Sequence, residues 1–177
     1  MIPELGHFAL ILALLLAIAQ AVFGLAGAAR RHAGWMAAGR SAVVGQFVFT
    51  VLAFAALTYA FVQKDFSVLY VATNSNSELP TFYRVAAVWG GHEGSLLLWA
   101  LSLAAWSIAV TAASTSLDAP FRSRVIGILG LILWAVGGYY ATDYAVGPGY
   151  HWLYFSGLIL LVLYFPLNWW RKLEDRT

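Results

Sequence analysis

Apolar residues along this chain gather into five blocks, residues 5–26, 42–62, 95–114, 125–141 and 152–170. Crossing a hydrocarbon layer about 30 Å thick takes about 20 residues at about 1.5 Å of rise each. Each block meets that length, the fourth only just. The pattern predicts an all-α integral membrane protein of about five transmembrane helices. Between the second and third blocks lies one long connection, residues 63–94. Loops above about 12–15 residues without structure of their own are usually functional or disordered. This one holds Phe66, Tyr70, Phe82, Tyr83 and Trp89, a composition unsuited to disorder. After Pro80, residues 81–89 are expected to form a short helix at the membrane interface, where aromatic rings prefer to sit.

In the first block Ala9, Ala13, Ala17 and Ala21 recur every fourth residue, which puts four small side chains on one helix face. Two readings stand side by side. Such a stripe lets another backbone approach closely, but alanine is also common in membrane helices. Gln20 and Gln46 are the main amides of the first two blocks. Gln46 is the one expected to bond a neighbouring helix, and Gln20 is expected near the inner interface.

Composition strengthens the membrane reading. The chain is 62% hydrophobic and 10% charged, against roughly 45–50% and about 25% in soluble domains. It has no cysteine, so it offers no disulfide, thiolate ligand or CxxC pair. A net charge of +2, with its basic residues scattered, does not suggest nucleic-acid binding. The N-terminus lacks the basic region of a secretory signal and is read as a retained first helix. Arg30, Arg31, Arg40, Arg122, Arg124, Arg171, Lys172 and Arg176 make eight of the ten basic residues. All eight fall on one side of a five-span topology, with Lys64 and Arg84 on the other. Lysine and arginine placement sets orientation, so the N-terminus and the 63–94 connection are expected outside and the C-terminus in the cytoplasm.

The connection closes in Trp89-Gly90-Gly91-His92-Glu93-Gly94-Ser95, with Leu96-Leu97-Leu98-Trp99 opening the third block. Three glycines in five positions permit backbone dihedrals closed to other residues and close approach of a flat ligand or another chain. His92 can ligate a metal or simply hydrogen-bond within the loop, and Glu93 can anchor an imidazole or a cationic partner. Ser95 is a candidate cap for the third helix. Arg84 is a candidate partner for a propionate or an acidic protein, or for Glu78 or Glu93 in the same connection. His7 and His32 stay unassigned.

Read together, Asp65-Phe66-Ser67-Val68-Leu69-Tyr70-Val71-Ala72, Asn74-Ser75-Asn76-Ser77 and the WGGHEGSLLLW run resemble the first periplasmic loop of the CcmF family of cytochrome c-type biogenesis proteins, and MIPELGHFAL is similar to the family's start. The resemblance covers residues 1–130, and residues 131–177 diverge. It implies a role in haem attachment: a haem lyase of the bacterial inner membrane that takes haem from the CcmE chaperone and works with CcmH-type apocytochrome-handling proteins. It also implies that the haem-handling WWD segment and histidines lie in remaining CcmF segments, and no WWD occurs here. On this reading the chain is a truncated or split piece and not an enzyme alone. His151 sits just before the fifth block without the prolines expected of the family. A rival reading makes the chain a self-contained membrane redox or haem transport subunit, with His92 and His151 as axial ligands of its own haem.

Overall fold

The computed structural model describes residues 1–146, with side chains as far as Gly137. The fifth block, His151 and the basic tail lie outside the described residues. The described residues are all-helical, in the order α1 (Ile2–Ala29), α2 (Ala33–Gln63), α3 (Leu69–Asn74), α4 (Thr81–Ala87), α5 (His92–Ala113) and α6 (Ala119–Val146). Four of them, α1, α2, α5 and α6, are long and apolar enough to cross a membrane. The chain divides into two compact units, Met1–Trp134 and Ala135–Thr177.

The first, second and fourth apolar blocks lie inside longer helices, and the third overlaps α5 up to Ala113, with Ser114 as its C-cap. Hydropathy marks only the stretch that lipid solvates, whereas backbone hydrogen bonding continues until a capping geometry stops it. The basic segment 27–41 is therefore helical apart from Arg30, Arg31 and His32. That turn closes α1 with His32 N–H donating to Gly27 O at 3.0 Å and Arg31 N–H to Ala28 O at 3.3 Å. Arg31 takes the left-handed position at φ 51°. The His32 Nδ1 then caps α2 by accepting from Trp35 N–H at 3.2 Å. Arg30 lies 4.7 Å over the Trp35 ring, and Trp35 meets Phe23 edge-on.

The alanine stripe of α1 is a packing face: Ala9, Ala13, Ala17 and Ala21 are all buried. α1 and α2 form an antiparallel hairpin in constant register, with Gly6 against Ala56, Leu16 against Gly45, Gly24 against Gly39 and Gly27 against Met36. The other side of Gly24 meets α6. A Cβ on Gly24 would stand 2.8 Å from the Gly127 Cα and 2.9 Å from the Ser123 carbonyl oxygen. Close backbone approach replaces the hydrophobic drive that lipid cannot provide. Two hydrogen bonds tie the crossing, Gln20 Nε2 to Ile126 O at 2.9 Å and Ser123 Oγ to Gly24 O at 3.0 Å.

The interhelix bond expected of Gln46 is therefore made by Gln20 instead. Gln20 bridges helices, while the Gln46 amide donates within α2 to Thr50 Oγ1 at 3.2 Å. The Gly24–Gly127 contact also sets the α1–α2 and α5–α6 turns at the same end of the Met1–Trp134 unit. Arg30, Arg31, Arg122 and Arg124 cluster there, and the segment between α2 and α5 occupies the opposite end.

Candidate functional site

α2 ends by the same closure as α1, with Asp65 N–H donating to Ala60 O at 2.9 Å and Lys64 in the left-handed region at φ 58°. Lys64 Nζ then reaches Ser77 O at 2.6 Å. The connection folds back onto the end of α2 around Ala60, Phe61, Val71 and Val88, flanked by Phe54, Leu57, Val68, Tyr70 and Ala87. Phe61, Val71 and Val88 are wholly buried, a burial that stabilises by about 1.5–3 kcal/mol per side chain where water is the alternative. The helix expected over residues 81–89 forms as α4, Thr81–Ala87, with Pro80 at its cap position.

The glycine-rich run then turns into α5. Gly91 is the N-cap and supplies no side chain to cap with, yet the first four amides of a helix have no intrahelical acceptor. Tyr70, from α3, fills the gap. Its hydroxyl accepts from Gly91 N–H at 3.1 Å and Gly94 N–H at 3.2 Å, and donates to Val88 O at 3.2 Å. One proton and two lone pairs are thereby all engaged. The Tyr70 ring packs edge-on against Phe61, 5.5 Å between centroids, and Asn74 Nδ2 holds the Tyr70 carbonyl at 3.0 Å.

This arrangement explains two of the three glycines. A Cβ on Gly94 would stand 1.7 Å from Val88 O and 2.5 Å from Tyr70 Oη, and one on Gly91 2.6 Å from Tyr70 Oη and 2.9 Å from Asn74 Oδ1. Gly90 is different, with nothing nearer than 3.5 Å. The expectation of special dihedrals gives way to sterics, because Gly91 is extended at φ −100° and ψ 173°. Glycine is needed here for closeness of approach.

Ser95 is not the cap of α5. It lies inside the first turn and its hydroxyl donates back to Gly91 O. His92 and Glu93 are the first helical residues and both are exposed, as are Trp89 and Gly90. Trp89 through Ser95 thus make a fixed knuckle that shows an indole, an imidazole and a carboxylate on its surface.

Arg84 pairs with neither Glu78 nor Glu93. It is 9% exposed and turned inward, its Nε donating to Leu79 O at 2.9 Å and its Nη2 to Thr81 Oγ1 at 2.8 Å. Nη1 donates to Val62 O, at the α2 C-terminus, where exposed carbonyls concentrate negative potential. The guanidinium is a three-way brace between α2 and α4.

Two residues that hold this site together, Tyr70 as the clamp and Lys64 as the left-handed closure, are not marked for those roles by residue type alone. Tyr70 carried a signal, as a phenol between apolar neighbours in a segment that also ends in capless glycines.

Haem iron takes one or two axial protein ligands, and the knuckle offers His92 alone for that role. His92 lies on open surface, and no three His, Asp or Glu side chains converge among the described residues. His151, its expected partner, lies outside them.

No protein-family model matches the chain. Curated relatives do. Over 132 residues, 75% of the chain, it is 54% identical to the cytochrome c-type biogenesis protein CcmF of Pseudomonas aeruginosa. Over the same length it is 50% identical to the cytochrome c-type biogenesis protein ccl1 of Rhodobacter capsulatus and 46% identical to CcmF of Escherichia coli. The matched residues belong to the CcmF family. A stretch of 132 residues includes the knuckle and its clamp wherever in the chain it begins. The solved structure of a cytochrome c haem lyase CcmF superposes on 80% of the chain with a TM-score of 0.75 at 27% identity. The chain spans about a fifth of the length of these curated relatives, 20% of each of the three, and corresponds to an N-terminal piece of CcmF. Its apolar helices and its CcmF homology make it a bacterial membrane protein.

Proposed function

We propose that this chain supplies the N-terminal membrane helices and first periplasmic loop of a CcmF-type haem lyase in cytochrome c maturation. The remaining CcmF segments would complete the enzyme. The observation that carries the reading is the 54% identity over 132 residues, a stretch that contains the Tyr70 clamp and the knuckle. Haem itself would be held chiefly by those remaining segments, since the knuckle presents a single imidazole, the exposed His92, and no enclosing wall. The knuckle would serve as a rigid contact surface facing the haem path, the CcmE haem chaperone or a CcmH-type apocytochrome-handling protein. The orientation proposed puts the knuckle in the periplasm and the arginine-rich turns in the cytoplasm, following the positive-inside rule.

In cells lacking CcmF, the chain alone should give no haem-stained holocytochrome. Co-expression with the downstream remainder of the P. aeruginosa relative should restore it. Covalent haem on a CxxCH reporter with the chain alone, or no restoration with the remainder, would overturn the proposal.

A further inference from the structure

α5 packs against α2 through few residues: only Gly94, Ala104 and Ser107 are buried. Of its most apolar window 11% is buried, against 28% to 33% in the other three spans. The exposed residues on its free side include His92, Trp99, Ser102, Trp106, Ala109 and Ala113. Their spacing of seven, three, four, three and four keeps them on one face, and the repeat of 3.5 is that of a seam between two helices crossing at about +20°. Large and small alternate along it, tryptophan then serine, tryptophan then alanine, as interdigitation requires.

The tryptophans are misplaced for lipid. With a rise of about 1.5 Å per residue, Trp99 lies about 10 Å inside the outer end of α5 and Trp106 about 10 Å inside the other end. Belt tryptophans sit at the headgroups, about 15 Å from the bilayer centre, whereas these two lie about 5–6 Å from it. Both indoles are exposed, Trp99 at 68% and Trp106 at 63%. Neither Nε1–H has a hydrogen-bond partner among the described residues. Hydrocarbon offers no acceptor for such a donor.

Resting on the proposed function, we infer that this seam is the docking face for one transmembrane helix of the remaining CcmF sequence. The relatives carry about four-fifths of their length beyond what this chain spans, so the family supplies further chain to cover it. The partner helix presents small residues opposite the indoles and a hydroxyl, amide or unpaired carbonyl oxygen within reach of each Nε1–H. Because the seam begins at His92, that helix ends beside the imidazole and turns an exposed side chain into a covered one.

The test places the photoreactive residue p-benzoylphenylalanine at Trp99, Ser102, Trp106 or Ala109 of the full chain, co-expressed with a tagged downstream remainder of the P. aeruginosa relative. Irradiated membranes should give an adduct to that remainder at all four positions, about tenfold stronger than at Leu15 or Val48, which are exposed on other helices. Ala109→Trp, which fills the seam without disturbing a buried contact, should suppress the adduct at Trp106. Adducts only to lipid, to a second copy of this chain or to its own residues 147–177 would overturn the inference. So would equal labelling at Leu15. Co-purification and holocytochrome yield with the probe-free chain separate the two failures. A remainder that binds and restores maturation without labelling the seam defeats only the docking face, whereas one that never binds defeats the proposed function and the docking face together.

Discussion

The Tyr70 hydroxyl lies 3.2 Å from the amide nitrogen of Gly94, two helices away in sequence, and caps α5 where its own N-cap residue has no side chain to do so. Tyr70→Phe keeps the ring against Phe61 and removes the three hydrogen bonds. Two amides and one carbonyl lose their partner, which should cost about 1–3 kcal/mol. The loss should be visible as a lower midpoint in SDS titration of the detergent-solubilised protein, and Tyr70→Ala should lower it further by abolishing the ring contact. A midpoint unchanged in Tyr70→Phe would mean that water satisfies these amides.

The three glycines of the knuckle should respond unequally. Gly94→Ala drives a methyl into the Val88 carbonyl and Gly91→Val drives a branched side chain into Tyr70 and Asn74, so both should displace the clamp. Gly90→Ala should be tolerated, because its Cβ meets ordinary van der Waals distances. In cells that also express the downstream CcmF remainder, maturation should fall more in Gly91→Val than in His92→Ala at equal protein level. The opposite ranking, with a haem band lost in His92→Ala, would make the histidine a ligand.

Arg84 distinguishes geometry from charge. Arg84→Lys retains the cation but cannot reach Leu79 O, Val62 O and Thr81 Oγ1 together, since its three donors diverge from one nitrogen. It should destabilise the connection by about 1–3 kcal/mol and increase proteolysis between α3 and α4. If Arg84 served only to attract an acidic partner or a propionate, lysine would substitute and the cleavage rate would not change.

Much of this architecture was legible in the chain. Four spans, the α4 helix and the alanine face of α1 follow from lipid solvation and helical period, which act through residue type alone. The site was legible as a place and not as a mechanism. WGGHEGS marked the knuckle, but Gly94 depends on Val88 and Tyr70, and Arg84 depends on Val62, contacts set by how the connection folds back over Phe61. Helix ends are not legible in hydropathy for a related reason. Arg31 and Lys64 close α1 and α2 in left-handed conformations usually reserved for glycine, so neither turn carried the usual stop signal. That Gln20 and not Gln46 bonds a neighbouring helix likewise depended on which helix crosses α1, something hydropathy does not record.

Topology can be tested at two turns that the structure sets at opposite ends. A reporter inserted after Asn76 should read as periplasmic and one after Ser116 as cytoplasmic, because Arg30, Arg31, Arg122 and Arg124 share the second end. The same signal at both sites would remove the span assigned to α5. Opposite signals in the reverse sense would invert the proposed orientation and take the knuckle away from the periplasm.

The α1–α6 crossing makes the sharpest structural prediction. A methyl on Gly24 would stand within 2.9 Å of the Gly127 Cα and amide nitrogen and of the Ser123 carbonyl oxygen, all backbone atoms that no rotamer change can move. Gly24→Ala must therefore push α6 away from α1. The shift would stretch the Gln20–Ile126 and Ser123–Gly24 hydrogen bonds, each worth about 0.6–2 kcal/mol within a membrane. Gly24→Ala should accordingly destabilise the unit more than Gln20→Leu, which removes one of the two bonds and leaves the backbone contact in place. Disulfide trapping offers a direct check, since the chain has no cysteine of its own. Gln20→Cys with Ile126→Cys, neighbours across this crossing, should oxidise readily, and adding Gly24→Ala should slow that oxidation. Equal trapping rates with and without Gly24→Ala would show that α1 and α6 do not approach at these glycines.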